Sequence, residues 1–258
     1  MTPENEHIGL LFDATRCIGC GECVRACKAD HGLSALIGSD LDANTFTIVQ
    51  KHGGQNMRRM CMHCLTPTCV SVCPVAALRK QKDGQVTYDA DACMGCRYCV
   101  FACPFNVPRY EWDQVFPRVS KCDFCYNRTS TGGETVCSWV CPTDATESGH
   151  REQLLATAKD RIRKHPGRYV DHIYGENEAG GTSVLILSGI PFDKTGYKTD
   201  VSTQPLPELT WHVLEKLPYV VVNAGILLGG FSWIIKRRMD LAAHPEQPGS
   251  APHSEDRK

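Results

Sequence analysis

The sequence has almost no net charge, which limits the kinds of partner it can bind. Its 258 residues include 28 Lys and Arg against 29 Asp and Glu, giving a formal net charge of −1. No stripe of basic residues follows any predicted helix, so the chain lacks the electrostatic footprint of a nucleic-acid-binding protein. We therefore expect no nucleic-acid partner.

The sequence also lacks the motifs of a self-contained enzyme and of an exported precursor. It has no G-x-G-x-x-G fingerprint, no P-loop and no nucleophile motif. Its N-terminal stretch, MTPENEHIGLLFDATRC, has neither a basic n-region nor an apolar h-region. We expect a non-catalytic chain that encodes no signal peptide.

Cysteine, by contrast, is abundant and confined to the first part of the chain. Sixteen cysteines divide into four quartets, and none lies beyond residue 141. An even number could indicate a disulfide scaffold, but such scaffolds are usually short secreted chains. The two-residue gaps within each quartet instead favour several thiolates converging on one inorganic centre.

The first and third quartets have the spacing C-x2-C-x2-C-x3-C, at residues 17–27 and 93–103. This is the bacterial ferredoxin run, in which three cysteines bind one [4Fe–4S] cluster and the fourth binds the neighbouring cluster. Gly19 and Gly95, inside the first turn of each run, allow backbone amides to approach the sulfurs. Two independent occurrences make iron–sulfur binding the leading interpretation.

The second and fourth quartets widen the middle gap. They read Cys61-x2-Cys64-x4-Cys69-x3-Cys73 and Cys122-x2-Cys125-x11-Cys137-x3-Cys141. Two separated cysteine pairs of this kind are also a zinc signature, so the fourth quartet alone leaves zinc open. Within this array an iron–sulfur centre is favoured, because Cys27 needs a neighbouring cluster to bind.

The exchange of the fourth cysteine predicts which residues bind each cluster. Quartets two and three lie close in sequence and form one two-cluster unit, around which quartets one and four pair. The predicted ligands are Cys17, Cys20, Cys23 and Cys141 for cluster 1; Cys61, Cys64, Cys69 and Cys103 for cluster 2; Cys93, Cys96, Cys99 and Cys73 for cluster 3; and Cys122, Cys125, Cys137 and Cys27 for cluster 4. We therefore expect four [4Fe–4S] clusters with no iron open to substrate.

Other residues near the quartets are weaker candidates. Phe101 and Trp139 are expected to pack and exclude water, and His63 is expected to face a partner rather than bind iron. Nearby charge sets cluster potentials, so basic residues are candidates for tuning them. These are Arg58, Arg59, Arg79, Lys80, Arg97, Arg109, Arg118, Lys121 and Arg128.

One long apolar run lies near the C-terminus. Leu217–Ile235 contains no charged residue over 19 positions, and as a helix it would span about 28 Å, close to the thickness of the hydrocarbon core. Trp211, Tyr219 and Trp233 lie toward its ends, where interfacial aromatics are typical. A buried core helix is the alternative, but the length favours a membrane span.

The predicted fold class is α+β, with two nested ferredoxin-like units, many loops and one C-terminal transmembrane helix. We predict a four-cluster domain at residues 1–147, with its inner unit at about 55–110. A helix near Arg151–Lys164 and an extended covering arm are predicted for residues 148–210. Strands are predicted at Phe46–Gln50 and Gln85–Tyr88 in the four-cluster domain and at Ser183–Leu187 in the arm. The anchor is predicted at 211–238 and a disordered tail at 239–258.

The order of the quartets resembles that in the iron–sulfur β subunits of membrane-bound respiratory oxidoreductases. The uptake [NiFe]-hydrogenase type is most similar, and the β subunits of formate dehydrogenase and dimethyl sulfoxide reductase are related. The stretches that carry the resemblance are Cys61-Met-His-Cys64, Cys69-Val-Ser-Val-Cys73-Pro, Cys103-Pro-Phe-Asn-Val-Pro-Arg-Tyr110, His172-Ile-Tyr-Gly-Glu-Asn-Glu-Ala-Gly-Gly-Thr182 and Val184-Leu-Ile-Leu-Ser-Gly-Ile-Pro191.

This resemblance implies an electron-transfer subunit of a hetero-oligomer. A hydrogenase-like or formate dehydrogenase-like catalytic subunit would exchange electrons with the clusters, and an integral membrane subunit would exchange them with quinone. Lys236-Arg237-Arg238 should remain cytoplasmic, which places the cluster domain on the periplasmic side, exported together with a signal-bearing partner. The alternatives are a β subunit of a dimethyl sulfoxide or polysulfide reductase type, a cytoplasmic cluster domain, and a zinc-binding membrane-anchored adaptor.

Overall fold

The structure is a computed structural model, and it describes residues 7–112, 114 and 117–243. The chain divides after Leu209 into two compact units. The first unit contains all sixteen cysteines, and the second contains the long apolar helix. Each unit is treated by itself below.

Short strands and short helices alternate through the first unit, with long connections between them. The strands are β1 Ile8–Asp13, β2 Thr47–His52, β3 Gln55–Met60, β4 Leu78–Lys80, β5 Val86–Tyr88, β6 Arg109–Tyr110, β7 Val119–Ser120, β8 Thr146–His150 and β9 Val184–Leu187. The helices are α1 Glu22–Asp30, α2 Thr68–Ser71, α3 Tyr98–Ala102, α4 Tyr126–Thr129, α5 Val136–Trp139 and α6 Arg151–Lys164, with 3-10 turns at Glu178–Gly180 and Phe192–Lys194. The mixed, loop-rich character predicted from the sequence is confirmed.

One three-stranded sheet joins distant parts of the chain. Strand β1 lies in the middle, antiparallel to β8 and parallel to β9. The pairing of β1 with β8 brings the two ends of the cysteine-rich region together, with residue 8 opposite residue 150. The remaining strands form three separate hairpins, β2–β3, β4–β5 and β6–β7.

The helices of the cysteine quartets pack in two pairs. Helix α1, from the first quartet, packs against α5, from the fourth. Helix α2, from the second quartet, packs against α3, from the third. The outer quartets are therefore neighbours in space, and so are the inner ones.

Helix α6 covers one face of the sheet and has the bounds that its periodicity predicted. Leu154 and Ala158 are buried against Leu11, Leu185 and Leu187. Burying a leucine side chain of this kind contributes about 2 kcal/mol. The expected packing role of this helix is confirmed.

The segment after α6 does more than lie along the surface. It supplies β9, an edge strand of the sheet whose four residues are all buried. Its backbone also bonds to the second quartet, because the amides of Ser183 and Val184 donate to the carbonyls of His63 and Met62. This segment therefore holds one of the cysteine loops in place.

The C-terminal unit consists mainly of one helix, α8, which follows a shorter helix, α7 (Leu206–Leu214), that the sequence did not predict. Helix α8 covers Leu217–Ala243, so it starts where the apolar run starts and continues past the charged end. Its best 18-residue window has a mean hydropathy of 1.6 and no buried residue. Length and composition thus allow it to cross a membrane. The last part of the predicted tail, residues 244–258, lies outside the described residues.

A glycine beside β9 gives a test of this packing. Gly175 has φ +97°, and a Cβ there would overlap the Val184 carbonyl and lie 2.5 Å from Thr182 Oγ1. Gly167 has φ +84° but open space around it. We expect Gly175→Ala to cost about 1–3 kcal/mol more than Gly167→Ala, because only the former adds overpacking to the strain at positive φ. The measurement is the temperature at which cluster absorbance is lost, and equal midpoints for both variants would contradict it.

Candidate iron–sulfur centres

The sixteen cysteines are all free thiols, and no disulfide joins any of them. Six of the thiols are buried, Cys20 and Cys96 are exposed, and the others are half-buried. A buried thiol that is not crosslinked is available to bind iron. The disulfide scaffold considered for this sequence is therefore not formed.

The structure gathers the cysteines into four neighbourhoods, which we call groups 1 to 4. Group 1 contains Cys17, Cys20, Cys23 and Cys141; group 2 contains Cys61, Cys64, Cys69 and Cys103; group 3 contains Cys73, Cys93, Cys96 and Cys99; and group 4 contains Cys27, Cys122, Cys125 and Cys137. Each group joins three cysteines of one quartet to the last cysteine of another.

The thiols of each group lie close enough to raise one another's pKa. Burial raises the pKa of the Cys99 thiol to about 11, and the thiols of Cys93, Cys96 and Cys73 contribute to the increase. Burial likewise raises the pKa of Cys125 to about 12, and Cys137 and Cys27 add to it. Packing thiolates this closely in a dry interior is unfavourable unless a cation neutralises them. Iron supplies that charge, because coordination deprotonates a thiol outright.

The groups form a row. Cys99 of group 3 raises the pKa of Cys69 in group 2, after the larger effect of burial. Cys61 of group 2 likewise raises the pKa of Cys122 in group 4. Cys137 of group 4 raises the pKa of Cys23 in group 1. The order in space is therefore 3, 2, 4, 1. The exposed Cys96 and Cys20 lie in the two end groups.

Each C-x-x-C turn has the same unusual backbone conformation. The third residue is left-handed in all four, with φ 74° at Gly19 and Gly95, 48° at His63 and 65° at Phe124. This conformation turns the amide toward the first sulfur, and the Phe124 amide lies 3.4 Å from Cys122 Sγ. The two glycines were expected from the sequence, whereas the left-handed His63 and Phe124 were not.

Three of the fourth cysteines precede a proline and share a second loop. Ala76, Asn106 and Asp144, each three residues after such a cysteine, have φ between 48° and 53°. The loop directs amides at the sulfur, as in the 3.2 Å hydrogen bond from Ala77 N to Cys73 Sγ. Burial alone would raise the pKa of Cys73, but the amides of residues 75–78 lower it overall. The same donors would stabilise a cluster thiolate.

Cys27 has no proline after it, and its surroundings differ. Helix α1 continues past it, and the ring of His31 lies 3.9 Å from Cys27 Sγ. His31 Nε2 is 2.9 Å from Asp123, which lies between Cys122 and Cys125. The hydrogen bond to Asp123, followed by that to Cys27, raises the pKa of His31. Sequence reasoning missed His31, because nothing local links residue 31 to residue 123.

Buried cations without an acidic partner surround the groups. Of the nine basic candidates only Arg58 and Lys121 are buried, and Lys28 is buried as well. Lys28 Nζ bonds to the carbonyls of Ser34 and Asn44, and Lys121 Nζ to those of Val86 and Cys122. Within the described part of the chain no carboxylate forms an ion pair with Lys28, Arg58 or Lys121. Buried charge normally has a counter-ion, and an anionic iron–sulfur cluster supplies one.

Three expectations about single residues were wrong. His63 is fully buried, with its ring 4.4 Å from the Phe124 ring, so it cannot face a partner. Phe101 and Trp139 are 80% and 67% exposed, so they do not seal the interior. In each case the short cysteine motif determines the local backbone turn, but it does not determine whether a given side chain faces the interior or the solvent.

The donor set fits iron–sulfur clusters. Four groups of four thiols, amides directed at the sulfurs and buried cations without acids together match the needs of four anionic cubanes. The chain is thus an iron–sulfur protein of the [4Fe–4S] type. Family models agree, with a 4Fe-4S dicluster domain at residues 54–151 and a 4Fe-4S binding domain at residues 11–33.

The chain belongs to the family of ferredoxin-like iron–sulfur subunits of respiratory oxidoreductases, as its resemblance predicted. It is 36% identical to the hydrogenase-2 operon protein HybA of Escherichia coli O157:H7, covering 89% of this chain and 84% of the relative. It is 32% identical to the nitrate-inducible formate dehydrogenase iron-sulfur subunit of Escherichia coli K12, covering 70% and 68%. A protein of Nitratidesulfovibrio vulgaris is 41% identical over 93% of this chain and 70% of its own.

Exchange of the fourth cysteine between quartets can be tested with serine variants. We expect Cys27→Ser and Cys125→Ser to perturb the same electron paramagnetic resonance (EPR) signal, because both residues lie in group 4. Cys23→Ser is the matched control, since it lies in the same quartet as Cys27 but in group 1, and it should perturb the signal that Cys141→Ser perturbs. A common signal for Cys27→Ser and Cys23→Ser would contradict the assignment.

Proposed function

We propose that this chain relays electrons through four [4Fe–4S] clusters between a catalytic subunit and a quinone-reactive membrane subunit. The observation that carries the proposal is the row of four thiol groups, interior at the centre and exposed at both ends. Each cluster, when bound, supplies a site that gains and loses one electron. No cysteine is left to serve as a catalytic nucleophile, which supports a non-catalytic subunit.

The protein buries the central groups of this row and exposes the end groups. The central groups 2 and 4 contain five of the six buried cysteines, so the protein keeps water from their sulfurs. The end groups present Cys20 and Cys96 to solvent, with Ile18 and Met94 also exposed beside them. We propose that electrons enter at one end group and leave at the other.

Two nested ferredoxin-like units describe the proposed architecture. The inner unit uses quartets two and three, whose helices α2 and α3 pack together. The outer unit uses quartets one and four, whose helices α1 and α5 pack together and whose ends are joined by β1 and β8. The sixteen cysteines bind the clusters as assigned, each cluster using one of the four groups.

The catalytic partner that we propose is of the hydrogenase or formate dehydrogenase type. Relatives that carry these names cover most of the chain, and the hydrogenase-2 operon protein matches the longer stretch. A partner of the dimethyl sulfoxide or polysulfide reductase type is the second candidate. The zinc-binding adaptor is disfavoured, because both matching family models describe 4Fe-4S binding and a relative that covers 70% of the chain is an iron-sulfur subunit.

We propose that α8 anchors the chain in the membrane with its C-terminal end in the cytoplasm. Its apolar side chains are exposed throughout, which suits contact with lipid. Lys236, Arg237 and Arg238 follow the apolar run, and basic residues of this kind remain cytoplasmic. The cluster domain would then lie on the periplasmic side.

Purification from membranes under anaerobic conditions tests the relay. We expect about sixteen irons per chain, as four cubanes require, together with a copurifying hydrogenase or molybdopterin subunit identified by mass spectrometry. Zinc in place of iron, or a colourless chain that purifies alone, would contradict the proposal.

A green fluorescent protein fused to the C-terminus tests the orientation. We expect fluorescent membranes, because this reporter folds in the cytoplasm. Replacing Lys236, Arg237 and Arg238 by Gln is the matched change, and it should reduce fluorescence per molecule of membrane-bound fusion. A dark but membrane-bound fusion of the unchanged chain would place the C-terminus outside.

A further inference from the structure

Arg58 is the one buried arginine among the nine basic residues that the sequence marks as candidates for tuning the clusters. It lies on β3, opposite Val49 of β2, and only 2% of its surface is exposed. Its Nε donates to Thr47 Oγ1 at 2.9 Å and its Nη1 to Thr146 Oγ1 at 3.2 Å. Among the residues that the structure describes, no carboxylate lies within ion-pair distance of it.

Two hydroxyls are weak compensation for a buried cation. Taking a guanidinium out of water is costly unless an anion replaces the lost hydration. Arg59, the next residue, shows the ordinary solution, because its guanidinium lies 2.8 Å from the half-exposed Asp40. Successive side chains on a strand point to opposite faces, so the two arginines meet different surroundings.

The anions that Arg58 meets are cysteine sulfurs. Thr146, which accepts from Arg58 Nη1, lines the same pocket as the group 1 cysteines. The charge of Arg58 acts on the thiols of Cys137, Cys23 and Cys122. Cys137 and Cys122 belong to group 4, and Cys23 belongs to group 1. Burial by itself would lower the pKa of Arg58, but these thiolates raise it overall. Arg58 is therefore a permanent positive charge located between two cysteine groups.

We infer that Arg58 is a positioning residue that raises the reduction potentials of clusters 1 and 4 together, an inference that rests on the proposed relay. A cluster gains negative charge when it is reduced, so a fixed nearby cation stabilises the reduced form more than the oxidised form. The effect should be strongest on these two clusters, because the thiols that act most on Arg58, those of Cys137, Cys23 and Cys122, belong to groups 4 and 1. Clusters 2 and 3 should be nearly unaffected.

Redox titration followed by EPR on the full complex tests this role. We expect Arg58→Gln to shift two of the four midpoint potentials to lower values and to leave the other two in place. Arg58→Lys keeps the charge, so both potentials should stay close to those of the unchanged chain. A purely structural role would not predict this difference between the two variants. Arg59→Gln is the matched control, since it removes the adjacent charge from the surface, and it should shift none of the four.

The outcomes separate this inference from the proposed relay. An unaltered complex that contains no iron–sulfur clusters would refute the relay itself, before any variant is compared. Four intact clusters with unchanged potentials in Arg58→Gln, or an equal shift in all four, would refute only the role of Arg58. If Arg58→Gln loses iron, the inference requires that Arg58→Lys retain it, and a similar loss in both variants would overturn it.

Discussion

The need to bury negative charge governs this structure. Sixteen thiols lie in four groups, and six of these thiols are buried. Thiolates in such an environment are unfavourable unless nearby groups compensate their negative charge. The chain provides three kinds of compensation. Left-handed turns direct amides toward the first sulfur of a quartet, Cys-Pro loops direct amides at the last sulfur of three quartets, and Lys28, Arg58 and Lys121 are buried without acids. The protein fold is thus organised around anions, which supply the counter-charge that these buried cations otherwise lack.

The topology follows from sharing cysteines between quartets. Because the last cysteine of one quartet lies with the first three of another, the quartets must be close in space in pairs. The inner pair is contiguous in sequence, so the outer pair can meet only if the chain closes around it. Strand β1 and strand β8 make this closure, with residues 8–12 opposite 146–150. The late strand β9 then adds to β1 and also bonds to the second quartet loop through Ser183 and Val184.

The sequence predicted the parts that local rules determine. Cysteine spacing predicted the four groupings, apolar periodicity predicted α6 at Arg151–Lys164, and the uncharged run predicted the start of α8 at Leu217. It did not predict the solvent exposure of Phe101 and Trp139, the burial of His63 or the contact between His31 and Asp123. These depend on how the two pairs of quartets pack, and a motif of four or eleven residues contains no information about residues 90 positions away. Which iron each sulfur binds stays a prediction.

The C-x-x-C turns of the central groups and of the end groups share one backbone conformation but have different residues at the left-handed position. This difference has a physical reason. In the end groups the left-handed position is glycine, and a Cβ at Gly19 would lie 2.8 Å from Asn56 Oδ1. In the central groups it is His63 and Phe124, which accept left-handed strain of about 1–3 kcal/mol each. Their rings contact each other at a tilt, with 4.4 Å between centroids, where group 2 meets group 4. The Val86 amide donates to His63 Nδ1 at 3.0 Å, so that nitrogen carries no proton and the ring is neutral. Burial, followed by the charges of Lys121 and Lys80, lowers the pKa of His63 well below its usual value. The strained residues therefore fill the junction between the two central groups with apolar or uncharged rings, which exclude water from the space between the sulfurs of groups 2 and 4.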